Sequence, residues 1–282
     1  MTLDDERTNR SGPPAASMAD RFSHLQREYR DSLRRRYAAK HDSEAMIHHA
    51  VEGAIKILDA LAIAEVLKAH RPARILEIGS YLGFSTRWIL DATAVIGSSV
   101  TSVDPRVRHR IFDGVKEHLL AFCAPHASRL TCVDAYFTDR NDDMFLDYYL
   151  NYEPRVSEAD ARALLARIPV IDKPFDEFDF AFIDGDHGFR ATVLNVHLAA
   201  AMLPAGGRIV VHDALTWPEV MPGLMALCGR QSGLALEGIA GAAFHAQFAN
   251  THDVLSLSNG VAIVRVYAPE LVRRFDPCSL LQ

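Results

Sequence analysis

Residues 75–86 read Ile75-Leu76-Glu77-Ile78-Gly79-Ser80-Tyr81-Leu82-Gly83-Phe84-Ser85-Thr86: a short apolar run ends in an acid, turns through Gly79 and Gly83, and enters a helix at Ser85 and Thr86. A strand, a glycine turn and a helix start in this order form the kind of loop that holds a nucleotide-type cofactor. The spacing narrows the ligand. A dinucleotide fingerprint has glycines at its first, third and sixth places, the second so that backbone can approach a pyrophosphate. Here those places hold Gly79, Tyr81 and Phe84, and the two bulky rings argue against a pyrophosphate.

Working outward, strands and helices alternate after Pro72, which predicts an α/β, doubly wound, mostly parallel sheet covered on both faces. Strands are expected at 74–79, 99–104, 129–134, 178–184 and 208–213. Each ends in an acid or a glycine. Ligands in such sheets sit beyond the carboxyl ends of the strands, so the chemistry is sought at Glu77, Asp104, Asp134, Asp184 and Asp213. Upstream, residues 1–17 are polar with two prolines and predict a disordered tail. Residues 18–70 read as a helical extension, charged in its first half and apolar in its second, closed by Arg71-Pro72. The main domain then runs over 71–282, with long insertions at 138–174 and 215–259.

Composition removes several function classes. The 282 residues are 49% hydrophobic with a net charge of −6, enough for a full core and no general attraction for nucleic acid or an anionic membrane. A basic run, Arg34, Arg35, Arg36 and Lys40, has no interleaved aromatic platform for bases and reads as a solvated helix face or a subunit contact. No apolar run is long enough to span a bilayer, and the N-terminal stretch lacks the apolar centre of a signal peptide; a cytoplasmic location is expected. Cys123, Cys132, Cys228 and Cys278 form no C-x-x-C pair, which predicts reduced thiols instead of a disulfide framework or zinc site.

The pattern Glu77-x-Gly79-x-x-x-Gly83 resembles the first motif of class I S-adenosylmethionine-dependent methyltransferases, whose cofactor has no phosphate. Further along, Ile183-Asp184-Gly185-Asp186-His187, the turn Pro204-Ala205-Gly206-Gly207 and the strand end His212-Asp213 resemble a subgroup that consists largely of small-molecule and sugar O-methyltransferases, with some hydroxylase-type relatives. The resemblance spans about residues 74–215. It implies a seven-stranded Rossmann-like sheet whose antiparallel C-terminal hairpin is Leu234–Ala240 with Val261–Tyr267. It also implies S-adenosylmethionine as cofactor: Asp104 on the ribose hydroxyls, Asp134 on the adenine amino group with Ala135 and Tyr136 as walls, Glu77 and the Gly79 backbone near the methionine part, Ser85 on its carboxylate at the helix start, and Tyr81, Gly83 and Asp184 as further cofactor-binding residues.

The fourth and fifth strand ends carry Asp184, Asp186, His187, His212 and Asp213. Two mechanisms fit them. Metal-dependent relatives imply a divalent ion at Asp184, His212 and Asp213; magnesium prefers oxygen, so His212 favours manganese or iron. Without a metal, His187 or His212 would act as general base, with Asp213 beside them.

Three function classes stand at this stage: an O-methyltransferase acting on a small hydroxylated molecule such as a sugar or natural product, an oxidoreductase or hydroxylase-like relative, and a non-catalytic S-adenosylmethionine-binding protein. Tyr148, Tyr149 and Tyr152 in the first insertion, and Trp217, Met221, Phe244 and His245 in the second, are candidates to cover the site. A homo-oligomer, most simply a dimer, is the expected assembly.

Overall fold

The computed structural model describes residues 16–39, 43–105, 114–143, 146, 157–228, 231–241, 245–247, 254–256 and 258–282. The tail expected at 1–17 therefore falls almost wholly outside the described residues, as do Lys40, Tyr148, Tyr149, Tyr152 and Phe244. The chain opens with three helices, α1 (Met18–Tyr37), α2 (Ser43–Glu52) and α3 (Ile57–His70). Strand β1 (Arg74–Ile78), helix α4 (Phe84–Ala92), β2 (Ser99–Asp104), α5 (Val115–Phe122) and β3 (Leu130–Asp134) follow. Next come β4 (Tyr136–Phe137), α6 (Glu158–Leu165), β5 (Val170–Ile171), β6 (Phe180–Ile183), α7 (Phe189–Ala201), β7 (Arg208–Val211) and α8 (Val220–Cys228). The chain ends with β8 (Leu234–Ala240), β9 (His245–Gln247), β10 (Val254–Ser256), β11 (Val261–Val266) and the short α9 (Pro269–Val272).

Seven strands form the main sheet in the order β3-β2-β1-β6-β7-β11-β8. Neighbours run parallel except at β11, which is antiparallel to both β7 and β8. The expected hairpin is this β8–β11 pair. The separate β9–β10 hairpin and the two-residue β4–β5 pairing were not anticipated; both are too short to leave an alternating signature in sequence.

Each central strand feeds two cores, because successive side chains leave a strand on opposite faces. Phe180 and Phe182 face the N-terminal helices with α4 and α5, while Ala181 and Ile183 face α7 and α8. Helix α1 starts on a capping box in which Ser17 and Asp20 satisfy each other's backbone donors. Its buried stripe, Phe22, Leu25, Tyr29, Leu33 and Tyr37, recurs at three- and four-residue steps. Phe22 meets both Phe84 and Trp88 edge-on at 5.5 Å, and Trp88 Nε1 donates to the Ala60 carbonyl at 2.8 Å. The basic face of α1 is partnered: Arg34 bonds Glu44 at 3.1 Å and Arg36 lies 3.9 Å from Glu117. Among the described residues no helix is long and apolar enough to cross a membrane, and none of the four cysteines forms a disulfide.

The crossover from β1 to α4 explains both glycines of the opening motif. Gly79 sits at φ 82°, and a Cβ there would overlap the backbone of Asp184 at the end of β6. Gly83 sits at φ 89° as the N-cap of α4, where a Cβ would meet the Leu119 side chain at 2.9 Å. The first lets β1 and β6 close on each other; the second lets α4 pack on α5.

Candidate active site

At the carboxyl ends of β1, β2, β6 and β7 lies a cleft of about 840 Å³. Of the residues expected there, Gly79, Tyr81, Asp104, Ala135, Asp184, His187 and Asp213 line it. Glu77, Gly83, Ser85, Asp134 and His212 are not on its wall, and each absence has a physical reason.

Glu77 is fully buried under the turn, and a buried carboxylate needs donors. It takes them from the start of α4: Ser85 Oγ donates at 2.8 Å and Thr86 Oγ1 at 2.6 Å. Ser85 is thereby turned inward, away from the place expected for a cofactor carboxylate. Gly83 serves the helix packing described above. Asp134 pairs with Lys116 Nζ at 2.5 Å, so its side chain points to α5, and it is the residues after it, beginning with Ala135 and Tyr136, that reach the cleft. Asp104 keeps its place on the wall. Its Oδ2 accepts from the backbone N–H groups of Ser80 at 2.8 Å and Tyr81 at 3.0 Å, so the acid ending β2 fixes the turn after β1.

A second group of polar side chains gathers where β6 and β7 end. His212 is 2% exposed, with Nδ1 at 2.9 Å from Asp184 Oδ1 and Nε2 at 3.1 Å from Asp59 Oδ2. Asp59, on α3, is fully buried and also accepts from Ser258 Oγ, from Asn259 N at 2.7 Å and from Gly260 N at 3.1 Å. His187 Nε2 lies 2.9 Å from Asp213 Oδ2 and 3.6 Å from Asp184 Oδ1, yet off the line of a directed hydrogen bond. The Trp217 ring stacks on His187, with centroids 5.1 Å apart and planes at 12°. Asp213 itself sits at φ 58°, a strained backbone for a non-glycine residue and one that concentrates at functional sites.

The electrostatics follow from this crowding. Burial opposes charge on His187, but Asp184 and Asp213 outweigh it and raise its pKa to about 9. Burial likewise opposes charge on His212, and Asp184, Asp59 and Asp213 hold it well above the ordinary histidine value. Asp184 is penalised by burial and still lies far below the usual carboxylate range, because His212 and His187 stand beside it. Both shifts favour the imidazolium form. A general base must arrive unprotonated, so the base role expected for His187 or His212 does not fit this arrangement, and His212 has no face on the cleft.

The same carboxylates could hold a metal ion in competition with the imidazole protons. Asp184, His212 and Asp213 each offer one ligand atom, all within 4.8 Å of one another. Sequence reasoning missed Asp59, whose one signal is an acid inside the apolar run Ile57–Ala64. It also missed the contribution of α2, which brings His49 and Glu52 to the cleft, and that of Asn141, which donates to Asp186 Oδ2 at 2.7 Å.

A parallel sheet with one reversed strand near its edge, a glycine turn fixed by the acid of the neighbouring strand, and a cleft over the strand ends define the class I methyltransferase architecture. Residues 76–214 match the family model described as a methyltransferase domain, and the fold around them is that of class I S-adenosylmethionine-dependent methyltransferases. Similar solved structures include the SAH-bound methyltransferase PaMTH1 of Podospora anserina, 12% identical over 91% of this chain and 98% of that one, with a TM-score of 0.50. The O-methyltransferase TomG of Streptomyces achromogenes, in complex with SAM, is 14% identical over 90% and 91%, with a TM-score of 0.48. An O-methyltransferase from Bacillus cereus, in complex with SAH, is 13% identical over 90% and 92%, with a TM-score of 0.47. At these identities the likeness is one of fold. No curated protein matches the chain.

Proposed function

We propose that the chain transfers the methyl group of S-adenosylmethionine to a hydroxyl of a small molecule, a sugar or a natural product, in the cleft above β1, β2, β6 and β7. One observation carries this reading: four strand ends converge on a single cleft in which Asp104 fixes the turn opened by Gly79. Bulky Tyr81 in the turn disfavours a pyrophosphate and leaves room for a cofactor without one.

In this reading the nucleoside lies along the wall of Gly79, Asp104, Ala135 and Tyr136, with Asp104 on the ribose hydroxyls. The methionine end then points toward Asp184. The acceptor enters from the side of Trp217, Glu219 and Asn141. Methyl transfer needs alignment, proton removal and exclusion of water more than covalent catalysis. The C–O bond forms as the S–C bond breaks, S-adenosylhomocysteine leaves, and the hydroxyl proton passes to a carboxylate of the cluster around Asp213. Asp184, His212 and Asp213 are the residues able to hold a divalent ion. Such an ion would acidify the acceptor hydroxyl as a Lewis acid.

The acceptor is a small molecule, with no nucleic acid or membrane involved. A cytoplasmic setting is part of the same proposal. A homodimer is the simplest closed assembly.

The mixed His/Asp donor set favours one second reading, a hydroxylase-like relative that uses iron on the same fold. Calorimetric titration with S-adenosylmethionine and with NAD separates the readings. Binding of the methyl donor, followed by its conversion to S-adenosylhomocysteine with hydroxylated acceptors, supports the methyltransferase. NAD binding alone, or oxygen uptake without methyl transfer, overturns it.

A further inference from the structure

The cleft has a one-sided charge. Among the described residues seven acids line it, and no lysine or arginine does. Most of these acids are already matched. Asp184 and Asp213 face the two imidazoles, Asp139 pairs with Arg190, Glu52 lies 3.5 Å from Lys56, and Asp104 is engaged by the turn amides.

Asp186 and Glu219 differ, for among the described residues neither meets a cationic side chain. Asp186 accepts from Gly188 N at 2.9 Å and from Asn141 Nδ2 at 2.7 Å, and Glu219 accepts from Phe189 N at 2.7 Å. These bonds cap the start of α7 and hold both carboxylates in place, but they neutralise neither. An ionised carboxylate has about four acceptor positions, so both keep capacity for a further donor.

The two acids border one gap. Gly188 stands between them on the cleft wall, and a Cβ there would lie 3.3 Å from Asp186 Oδ1 and 3.6 Å from Glu219 Oε2. The backbone at Gly188, φ −68° and ψ 154°, is one that any residue adopts, so glycine serves here to leave space. Beside the gap the Trp217 ring is 52% exposed and stacks on His187. Carboxylates next to an exposed indole form the surroundings that an ammonium group prefers, through charge-assisted hydrogen bonds and attraction to the ring face. A carboxylate or phosphate in the same place would meet like charge.

We propose that the acceptor is a small hydroxylated amine, and that Asp186 and Glu219 determine this specificity by holding its ammonium group in the gap over Gly188, with Trp217 as the platform. The identity of this ligand as a methyl acceptor rests on the methyltransferase reading of the cleft, whereas recognition of the amine does not.

Three phenols that differ in side-chain charge are the probes: tyramine, 4-ethylphenol and 4-hydroxyphenylacetate. Calorimetric titration of the full chain in excess S-adenosylhomocysteine should rank them cation, neutral, anion. Tyramine should bind roughly tenfold tighter than 4-ethylphenol, with the difference narrowing as salt is raised. Glu219→Gln and Asp186→Asn keep an oxygen for the cap and remove the charge, and each should cut the preference for tyramine at least about threefold. Gly188→Ala puts a methyl into the gap at unchanged charge and should weaken tyramine alone; it carries the test should either charge variant lose stability. Equal binding of tyramine and 4-ethylphenol, preference for the anion, binding of none of the three, or an unchanged preference in the variants overturns the proposal. Titration with S-adenosylmethionine keeps the two readings apart: donor binding without the amine preference sinks the amine subsite alone, and the amine preference without donor binding sinks the methyltransferase reading alone.

Discussion

His212 Nε2 meets Asp59 Oδ2 at 3.1 Å, joining the end of β7 to a helix that lies 153 residues earlier in the chain. Neither side chain reaches solvent, and between them they fix Asp184 on one side and the turn before β11 on the other. Removing Asp59 takes an acceptor from the buried His212 ring, from the Ser258 hydroxyl and from the backbone N–H groups of Asn259 and Gly260. Asp59→Ala should therefore destabilise the chain by about 3–5 kcal/mol. Denaturant unfolding checks this, and a loss below about 1 kcal/mol would show that the pair does not bind the two segments together.

Gly79 and Gly97 have almost the same backbone angle, φ 82° and 79°, in opposite surroundings. A Cβ at Gly79 would overlap the Asp184 backbone, whereas one at Gly97 would meet nothing within 4 Å. Gly97→Ala should cost only the left-handed penalty, about 1–2 kcal/mol. Gly79→Ala should cost clearly more and abolish the heat of S-adenosylmethionine binding, which Gly97→Ala should retain. Equal unfolding midpoints for the two variants would refute the close approach of β1 and β6.

Trp217 is 52% exposed on the cleft and stacks on His187. Its removal touches little of the core, so Trp217→Ala should leave stability within about 0.5 kcal/mol. Loss of an aromatic platform worth up to about 1.5 kcal/mol corresponds to roughly a tenfold rise in acceptor KM, with S-adenosylmethionine affinity unchanged. Steady-state kinetics with both substrates varied tests it.

His118 links Ser32 of α1, through Nε2 at 3.0 Å, to the Leu82 carbonyl in the cofactor turn, through Nδ1 at 3.0 Å. Burial depresses its pKa to about 4, with Arg36 adding to the shift and the bond to Leu82 opposing it. The unfolded chain therefore binds this proton first as pH falls. Its contribution to stability is complete above about pH 6.5 and is lost on acidification toward pH 4, by roughly 3 kcal/mol in all. Urea unfolding across that window should show the slope, and His118→Gln should flatten it.

The sheet was legible because its strands are apolar runs that end in acids or glycines, and Ser99–Asp104 fell where the pattern put it. Side-chain direction was not legible. Motif position put Ser85 and Asp134 on the cofactor, but Ser85 turns inward to Glu77 and Asp134 outward to Lys116, partners that spacing cannot reveal. Asp59 resembled any surface acid on a helix. What makes it part of the site is a contact with His212 and the segment Ser258–Gly260, which only the closed fold supplies.

The aromatic stripe of α1 has a practical consequence for anyone trimming the chain. Phe22 and Tyr29 are the lid over Phe84 and Trp88, so a fragment starting at β1 would leave the sheet naked on one side and strip His212 of its anchor. Transplanting this catalytic half onto a relative's leader, or borrowing a relative's leader for it, should yield sticky, inactive hybrids unless both parts travel together.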